Sequence, residues 1–393
     1  MHLRYSRSIA LVCLAAILII IAGCGGSTSS SGNSPSNPGT PAPGSNPGGG
    51  GNPQSKTFVY VAGTRSGQPS NTFAFRLNSD GSTAAVPGAP FTNPQEVLTQ
   101  AGNFLIGHDS SGFKVALYPV DANTGAPQAP ASVSNVTARV VVADAANVYA
   151  AFPGSSGNDA IDALAISDGK LTAVSGSPFT APGANFYAPL FLTSSLLFVD
   201  RNTDPLAPGA GTTQNEDITV FSRSANGALV RFASIGPANS SLSAVVHPGT
   251  RFIFKLDTGS GADCTLDVFS FDAGSGASAL VQQVPFLGCT VRSVAGDKQG
   301  RFLFVTGNAP GIHVFSIDQN SGKISEVSGS PFFATDNTIN GSFADPSGRF
   351  LLVVRGNSFQ AVAIDASTGK LTPVAAPVTV NTEAIGRVTF AVF

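Results

Sequence analysis

Residues Gly300–Phe332 read GRFLFVTGNAPGIHVFSIDQNSGKISEVSGSPF. The stretch breaks into short pieces. A run of apolar residues, FLFV, is bounded by turn residues and reads as a buried strand. HVFSI alternates and ends in the turn DQNSG. KISEV alternates again, and VSGSPF follows. FSIDQNSG has relatives along the whole chain: FRLNSDG from Phe75, YPVDANTG from Tyr118, LAISDG from Leu164, FSRSANG from Phe221, FSFDAGSG from Phe269 and VAIDASTG from Val362. Successive copies lie 43, 46, 57, 48, 46 and 47 residues apart. A period in this range belongs to propeller blades or helical arrays.

Composition decides between them. Helix formers such as Glu, Lys and Gln are sparse, while β-branched and aromatic residues are plentiful. No segment shows a sustained 3.6-residue period. Each copy has an apolar run before it, such as FVYVA from Phe58, FIFK from Phe252 or FLLVV from Phe350. An alternating stretch follows the turn glycine, and a further strand leads to turns such as HPGTR, DKQGR and DPSGR. Four strands per unit and seven units predict an all-β, seven-bladed β-propeller over residues 57–393, the architecture that closes such units radially. The chain starts on a second strand, and IGRVTFAVF (Ile385–Phe393) reads as an innermost strand without a successor. It is expected to complete the first blade. VSGSPF, at Val174–Phe179 and Val327–Phe332 with VPGAPF at Val86–Phe91, is read as the end of an outermost strand turning towards the next blade.

The first residues do not belong to the repeat. MHLRYSR is basic, SIALVCLAAILIII is apolar, and IAGC ends at Cys24. The pattern resembles the lipobox of bacterial lipoproteins. It implies a signal peptide over residues 1–23, lipidation of Cys24, and an exported domain held on the cell envelope by acyl chains. Residues 24–56 hold Gly, Ser, Pro and Asn with almost no apolar side chain, and so form a flexible tether, with a reach on the order of 30 Å. Cys13 leaves with the signal peptide. Cys264 and Cys289 remain, and in an oxidising compartment they are expected to pair. The short loop that they close suggests about 3 kcal/mol of stabilisation.

With 11% charged residues and a net charge of −2, the chain has no basic stripe, which argues against nucleic-acid binding. GRFLFVTGN and IHVFSIDQNSGKISEVSGSPF resemble the repeats of the lactonase-type propellers, the 6-phosphogluconolactonases and YVTN-repeat proteins. The resemblance spans residues 57–393. It implies a propeller fold and a site on the channel rim built from His, Arg and acidic residues, with lactone hydrolysis as the activity.

Successive turns of an antiparallel blade alternate between two ends. The GR and SGK turns share one end and are uniform, whereas the other end carries loops of varied length, where function is expected. Counting back from the second strands aligns Glu96, Arg139, Ala188, Leu242, Arg292, Asn340 and Arg387 on the innermost strands. Glu96, Arg139, Arg292, Asn340 and Arg387 are therefore the candidate rim residues, and three guanidinium groups suit a carboxylate or phosphate. His108, His247 and His313 have no metal-ligand spacing. The GK pairs lie in hairpin turns, and the acidic loop with Asp200, Asp204, Glu216 and Asp217 lacks the spacing of a calcium loop. No metal or other cofactor is expected, and the domain is expected to act as a monomer.

Two functions remain open. One is a ligand- or protein-binding module of the envelope, taking an anionic small molecule or an envelope protein at its variable end. The other is a lactone hydrolase. Export away from cytoplasmic metabolites such as 6-phosphogluconolactone favours the first.

Overall fold

Each copy of the repeat folds as four antiparallel strands, and the seven copies form seven separate sheets around one channel. A computed structural model describes residues 56–393 except 65–70, 95–96, 109–113, 139, 152–157, 183–189, 201–217, 237–239, 259–262, 288–290, 308–310 and 381–383. Blade 6 shows the plan, from the channel outward: Val291–Gly296, Phe302–Gly307, His313–Ile317 and Ile324–Glu326. Blade 2 begins on Val97–Ala101, blade 3 on Val140–Ala143, blade 4 on Leu190–Leu192, blade 5 on Ser240–Val246 and blade 7 on Ile339–Ala344.

Blade 1 is built from both halves of the chain. Its innermost strand, Ala384–Val392, pairs with Thr57–Thr64, in register from Thr57↔Val392 to Thr64↔Ala384. Lys56 and Phe393 exchange backbone hydrogen bonds of 2.7 and 2.9 Å, so the two ends meet at the turn end of the ring. The closure expected from Ile385–Phe393 is present.

A blade has two apolar faces, and each packs against a neighbour. Alternation along each strand therefore sends successive side chains into opposite seams. The buried residues divide accordingly into seven clusters, one per seam. Phe58, Tyr60, Leu105 and Tyr118 fill the seam between blades 1 and 2, and Phe254, Leu256, Val294 and Val305 that between blades 5 and 6. Val61, Leu352 and Val388 fill the closing seam.

The uniform turns have a packing reason. In DKQGRF, Asp297 accepts the Phe302 amide at 3.0 Å and the Arg301 Nε–H at 2.9 Å. Arg301 lies over the Phe302 ring at 5.4 Å and donates at 2.9 Å to Ala366 O in the hairpin of blade 7. Arg251 does the same to Gln319 O and Asn320 O of blade 6, and Arg349 to Ser79 O of blade 1 across the closing seam. The hairpin glycine of the receiving blade lies flat on the donor's phenylalanine. At Gly322 (φ +74°) a Cβ would stand 2.3 Å from Phe252. In blades 5, 6 and 7 the GR turn thus clasps the hairpin of the next blade, which is why these turns resemble one another.

VSGSPF behaves differently from the expectation. The outer strand is interrupted and does not leave the blade. In blade 3, Lys170–Ala173 pairs with the lower half of Asn158–Ser167. The chain then turns through Gly176 (φ +88°) and a cis Ser177–Pro178 bond, and Phe179–Pro182 pairs with the upper half of the same strand. Phe332 returns to Ile312 and Phe91 to Thr72 in the same manner. The long third strand would otherwise expose half of its edge.

Candidate functional site at the channel rim

At the variable end, the innermost strands carry β-bulges. The extra residue is Leu98 in blade 2, Leu242 in blade 5, Arg292 in blade 6, Asn340 in blade 7 and Gly386 in blade 1. A bulge leaves one residue out of the ladder and breaks the in-and-out alternation. Leu242, Arg292 and Asn340 are thus structurally equivalent, as the alignment expects. The alignment slips in two blades. Leu98, not Glu96, holds the bulge of blade 2, and Gly386, not Arg387, that of blade 1. Arg387 pairs with Ala62 and corresponds to Ser293. Glu96 and Arg139 themselves lie outside the described residues.

Beneath Arg292 and Asn340 is a feature that counting residues did not find. Ser293 and Thr306 are cross-strand partners on the face of blade 6 that carries Ala295 and Phe304 into the seam with blade 7. Ser342 of blade 7 pairs with Val353 and faces the same seam from the other side. The three residues are 0%, 1% and 0% exposed, and none of their hydroxyl groups has a hydrogen-bond partner. The equivalent set one seam earlier is Ser243, Leu256 and Val294. It is mostly apolar, and its one hydroxyl accepts the Val294 amide at 3.3 Å. A buried hydroxyl without a partner costs about 1–3 kcal/mol, so three in one seam call for an occupant.

Other polar groups are committed to the fold. His108 ends the second strand of blade 2, is 3% exposed, and its Nε2 lies 2.6 Å from Ala138 O, the residue before Arg139. His247 takes the aspartate's place in the turn of blade 5. Its Nδ1 accepts the Gly249 amide at 3.1 Å, and burial lowers its pKa. His313 and Ser330 both meet Glu326, at 2.8 and 2.7 Å, so the carboxylate stands between them and no Ser–His relay forms there. Lys255 and Asp257 form a fully buried ion pair at 2.7 Å, and Gln283 binds Asp267 at 3.1 Å across the sheet. The lone lysine of the strand FIFKLDT is the only sequence hint of this pair. Burial raises the pKa of Asp162 in blade 3.

A cavity of about 540 Å³ occupies the opposite, turn end of the channel. Its lining comes from blades 1, 2, 3, 5, 6 and 7 and includes Gln100, Asn103, Pro248, Lys298 and Pro346. Its carboxylates Asp144, Asp297 and Asp345 already cap their own turns. Among the described residues no group of three or more His, Cys, Asp or Glu could hold a metal ion. Cys264 is fully buried in the seam between blades 5 and 6, in the cluster that also holds Val291, two residues beyond Cys289. Cys289 lies outside the described residues, as do Cys24 and most of the acidic loop.

No protein-family model matches the sequence, and no curated protein is significantly similar to it. Solved structures do share the fold. A 6-phosphogluconolactonase-like protein from Bacteroides fragilis superposes with a TM-score of 0.63 at 18% identity, covering 86% of this chain and 98% of that one. A periplasmic gluconolactonase from Pseudomonas aeruginosa gives 0.62 at 16% identity, covering 86% and 99%. A hypothetical selenium-binding protein from Sulfolobus tokodaii gives 0.60 at 13%, covering 86% and 94%. At these identities the likeness concerns the fold, a lactonase-like propeller.

Proposed function

We propose that this protein is an exported, lipid-anchored propeller that binds an anionic, hydroxylated small molecule of the aldonic-acid class at the variable end of its channel. The observation that carries this reading is the matched pair of bulges in blades 6 and 7. They set a guanidinium-bearing and an amide-bearing residue, Arg292 and Asn340, at the same level of adjacent innermost strands. Arg139 and Glu96 are proposed as further rim residues, and Arg387 as a secondary one. Calorimetric titration of the purified domain with D-gluconate tests the reading. Binding that weakens at least tenfold in Arg292→Ala supports it, and no binding by the wild-type domain refutes it.

A second reading is hydrolysis of the corresponding lactone, with arginines holding the anion and Glu96 handling protons. It is favoured by one finding: a periplasmic gluconolactonase has this fold, so an exported domain need not lack a lactone. Turnover of sugar-acid or muconate-type lactones above background, abolished in Arg292→Ala, would establish it. An envelope protein as the ligand is the remaining possibility for the binding module, tested by competition with gluconate.

Attachment to the membrane through Cys24 is part of the proposal. Cys24→Ser should release the protein from membranes or leave its signal peptide uncut, and unchanged partitioning into detergent would rule the anchor out. We also propose a Cys264–Cys289 disulfide. Mass spectrometry of unreduced protein should find the two peptides linked, and two free thiols in protein from its native envelope would reject it.

A further inference from the structure

The geometry points to the seam between blades 6 and 7 as a ligand subsite, in which Ser293, Thr306 and Ser342 receive hydroxyl groups of the bound molecule. The inference rests on the binding reading above and adds the residues that would choose a polyhydroxylated ligand over a plain anion.

Three observations carry it. The hydroxyl groups are buried and unpartnered, although serine and threonine can rotate to meet any acceptor or donor in reach. They converge from two blades, with Ser293 and Thr306 side by side on one and Ser342 opposite. Finally, the levels of Thr306 and Ser342 are apolar in several other seams, whereas the level of Ser293 also carries Ser243 in blade 5 and Thr99, buried and likewise unpartnered, in blade 2. At the first two levels, Leu256 and Val294 stand between blades 5 and 6, Ile106 is the partner of Thr99 in blade 2, and Val354 is the partner of Gly341 in blade 7. Packing does not require polarity at those two levels.

The cluster lies nearer the rim than the turn end. Thr306 is the last residue but one of its strand, and Ser293 directly follows the bulged Arg292. At about 3.3 Å of rise per residue, the cluster lies within 10 Å of the variable end. A molecule bound at the rim would have to extend into the seam by a few carbon atoms to place hydroxyl groups among them. The cluster holds no fixed charge, so it can donate to and accept from an alcohol with equal ease, and it brings no cation to offset a second anionic group.

The experiment uses the mature domain, with D-gluconate as the probe, titrated calorimetrically and followed by thermal melting. Thr306→Val keeps the side-chain shape, and Ser342→Ala removes a single oxygen. The double variant should bind gluconate ten- to a hundredfold more weakly, as expected for two lost neutral hydrogen bonds. It should melt no lower than wild type, because two unpartnered buried hydroxyl groups are gone. Thr306→Ser, which keeps the oxygen, should bind as wild type does. Unchanged affinity in the double variant overturns the inference. If its melting temperature then also falls, the seam holds only internal water. Arg292→Ala separates the two proposals: weaker binding there with an unaffected double variant leaves the rim reading standing and removes this one. A wild-type domain that does not bind gluconate removes both.

Discussion

Removal of the last ten residues, Ala384–Phe393, should unfold the whole ring. The strand Ala384–Val392 is the innermost strand of blade 1 and the only covalent contribution of the C-terminus to that blade. Its deletion exposes the inner edge of Thr57–Thr64 over its full length. It removes Ile385, Val388 and Ala391, which are 8%, 5% and 0% exposed, together with the partly buried Phe390 and Phe393. Burial of these side chains is worth about 6–8 kcal/mol in total, at about 1.5–3 kcal/mol for each large one. Their partners Val59 and Val61 would lose cover as well. A domain of this kind has about 5–15 kcal/mol of net stability, so the loss takes most or all of it. Circular dichroism during heating and in a urea series should show no cooperative transition for the truncated protein. A cooperative melt within about 5 °C of the full-length value would correspond to a change of only a few kcal/mol, and would refute closure by this strand as the basis of stability.

The clasp makes a sharper point prediction. Gly322→Ala forces a side chain into a left-handed conformation and against Phe252, and should cost about 2–4 kcal/mol, whereas Gly274→Ala, whose Cβ would meet only Asp272 at 3.4 Å, should cost little; urea denaturation compares the two, and equal costs would reject the clasp. The hairpins also carry a pH dependence. Asp318 and Asp365 accept backbone and hydroxyl hydrogen bonds from the residues that follow, and those bonds lower both pKa values. A depressed folded-state pKa contributes stability that is present above the unfolded carboxylate value and is lost as pH falls below it. The acid limb of the stability curve should therefore flatten in an Asp318→Asn, Asp365→Asn variant, and an unchanged limb would show that these turns do not contribute.

The sequence was most legible where a residue has a packing duty in several blades. Gly322 and Gly369 must lie on Phe252 and Phe302, and Arg301 and Arg349 must reach the next hairpin, so these positions repeat and reveal the period. The closing strand was legible for the related reason that a ring has no place for an unpaired innermost strand. The rim was less so. A bulge adds a residue without any fixed residue type to mark it, and counting from the second strand therefore misplaced Glu96 by two positions and Arg387 by one. The hydroxyl cluster was hidden because Ser293 and Ser342 are separated by a whole blade in sequence and meet only across a seam. The role of VSGSPF was missed because serine, glycine and proline signal a turn but not its destination. Here the turn leads back to the same third strand.

The division of the molecule into a uniform end and a variable end follows from these packing duties. At the turn end of blades 5, 6 and 7 the inner turn presents an arginine to the next blade's hairpin, and the hairpin of blade 6 presents Gly322 to the previous blade. A substitution that would suit a ligand there would loosen a seam. The loops at the other end carry no such repeated contact among the described residues, and the bulges beneath them free one residue from the ladder in five of the innermost strands. Binding chemistry can change at that end at little cost to the ring. Lys56 and Phe393 meet at the turn end. Arg292 and Asn340, at the bulges of blades 6 and 7, stand at the opposite end, where a change of residue disturbs none of the clasps.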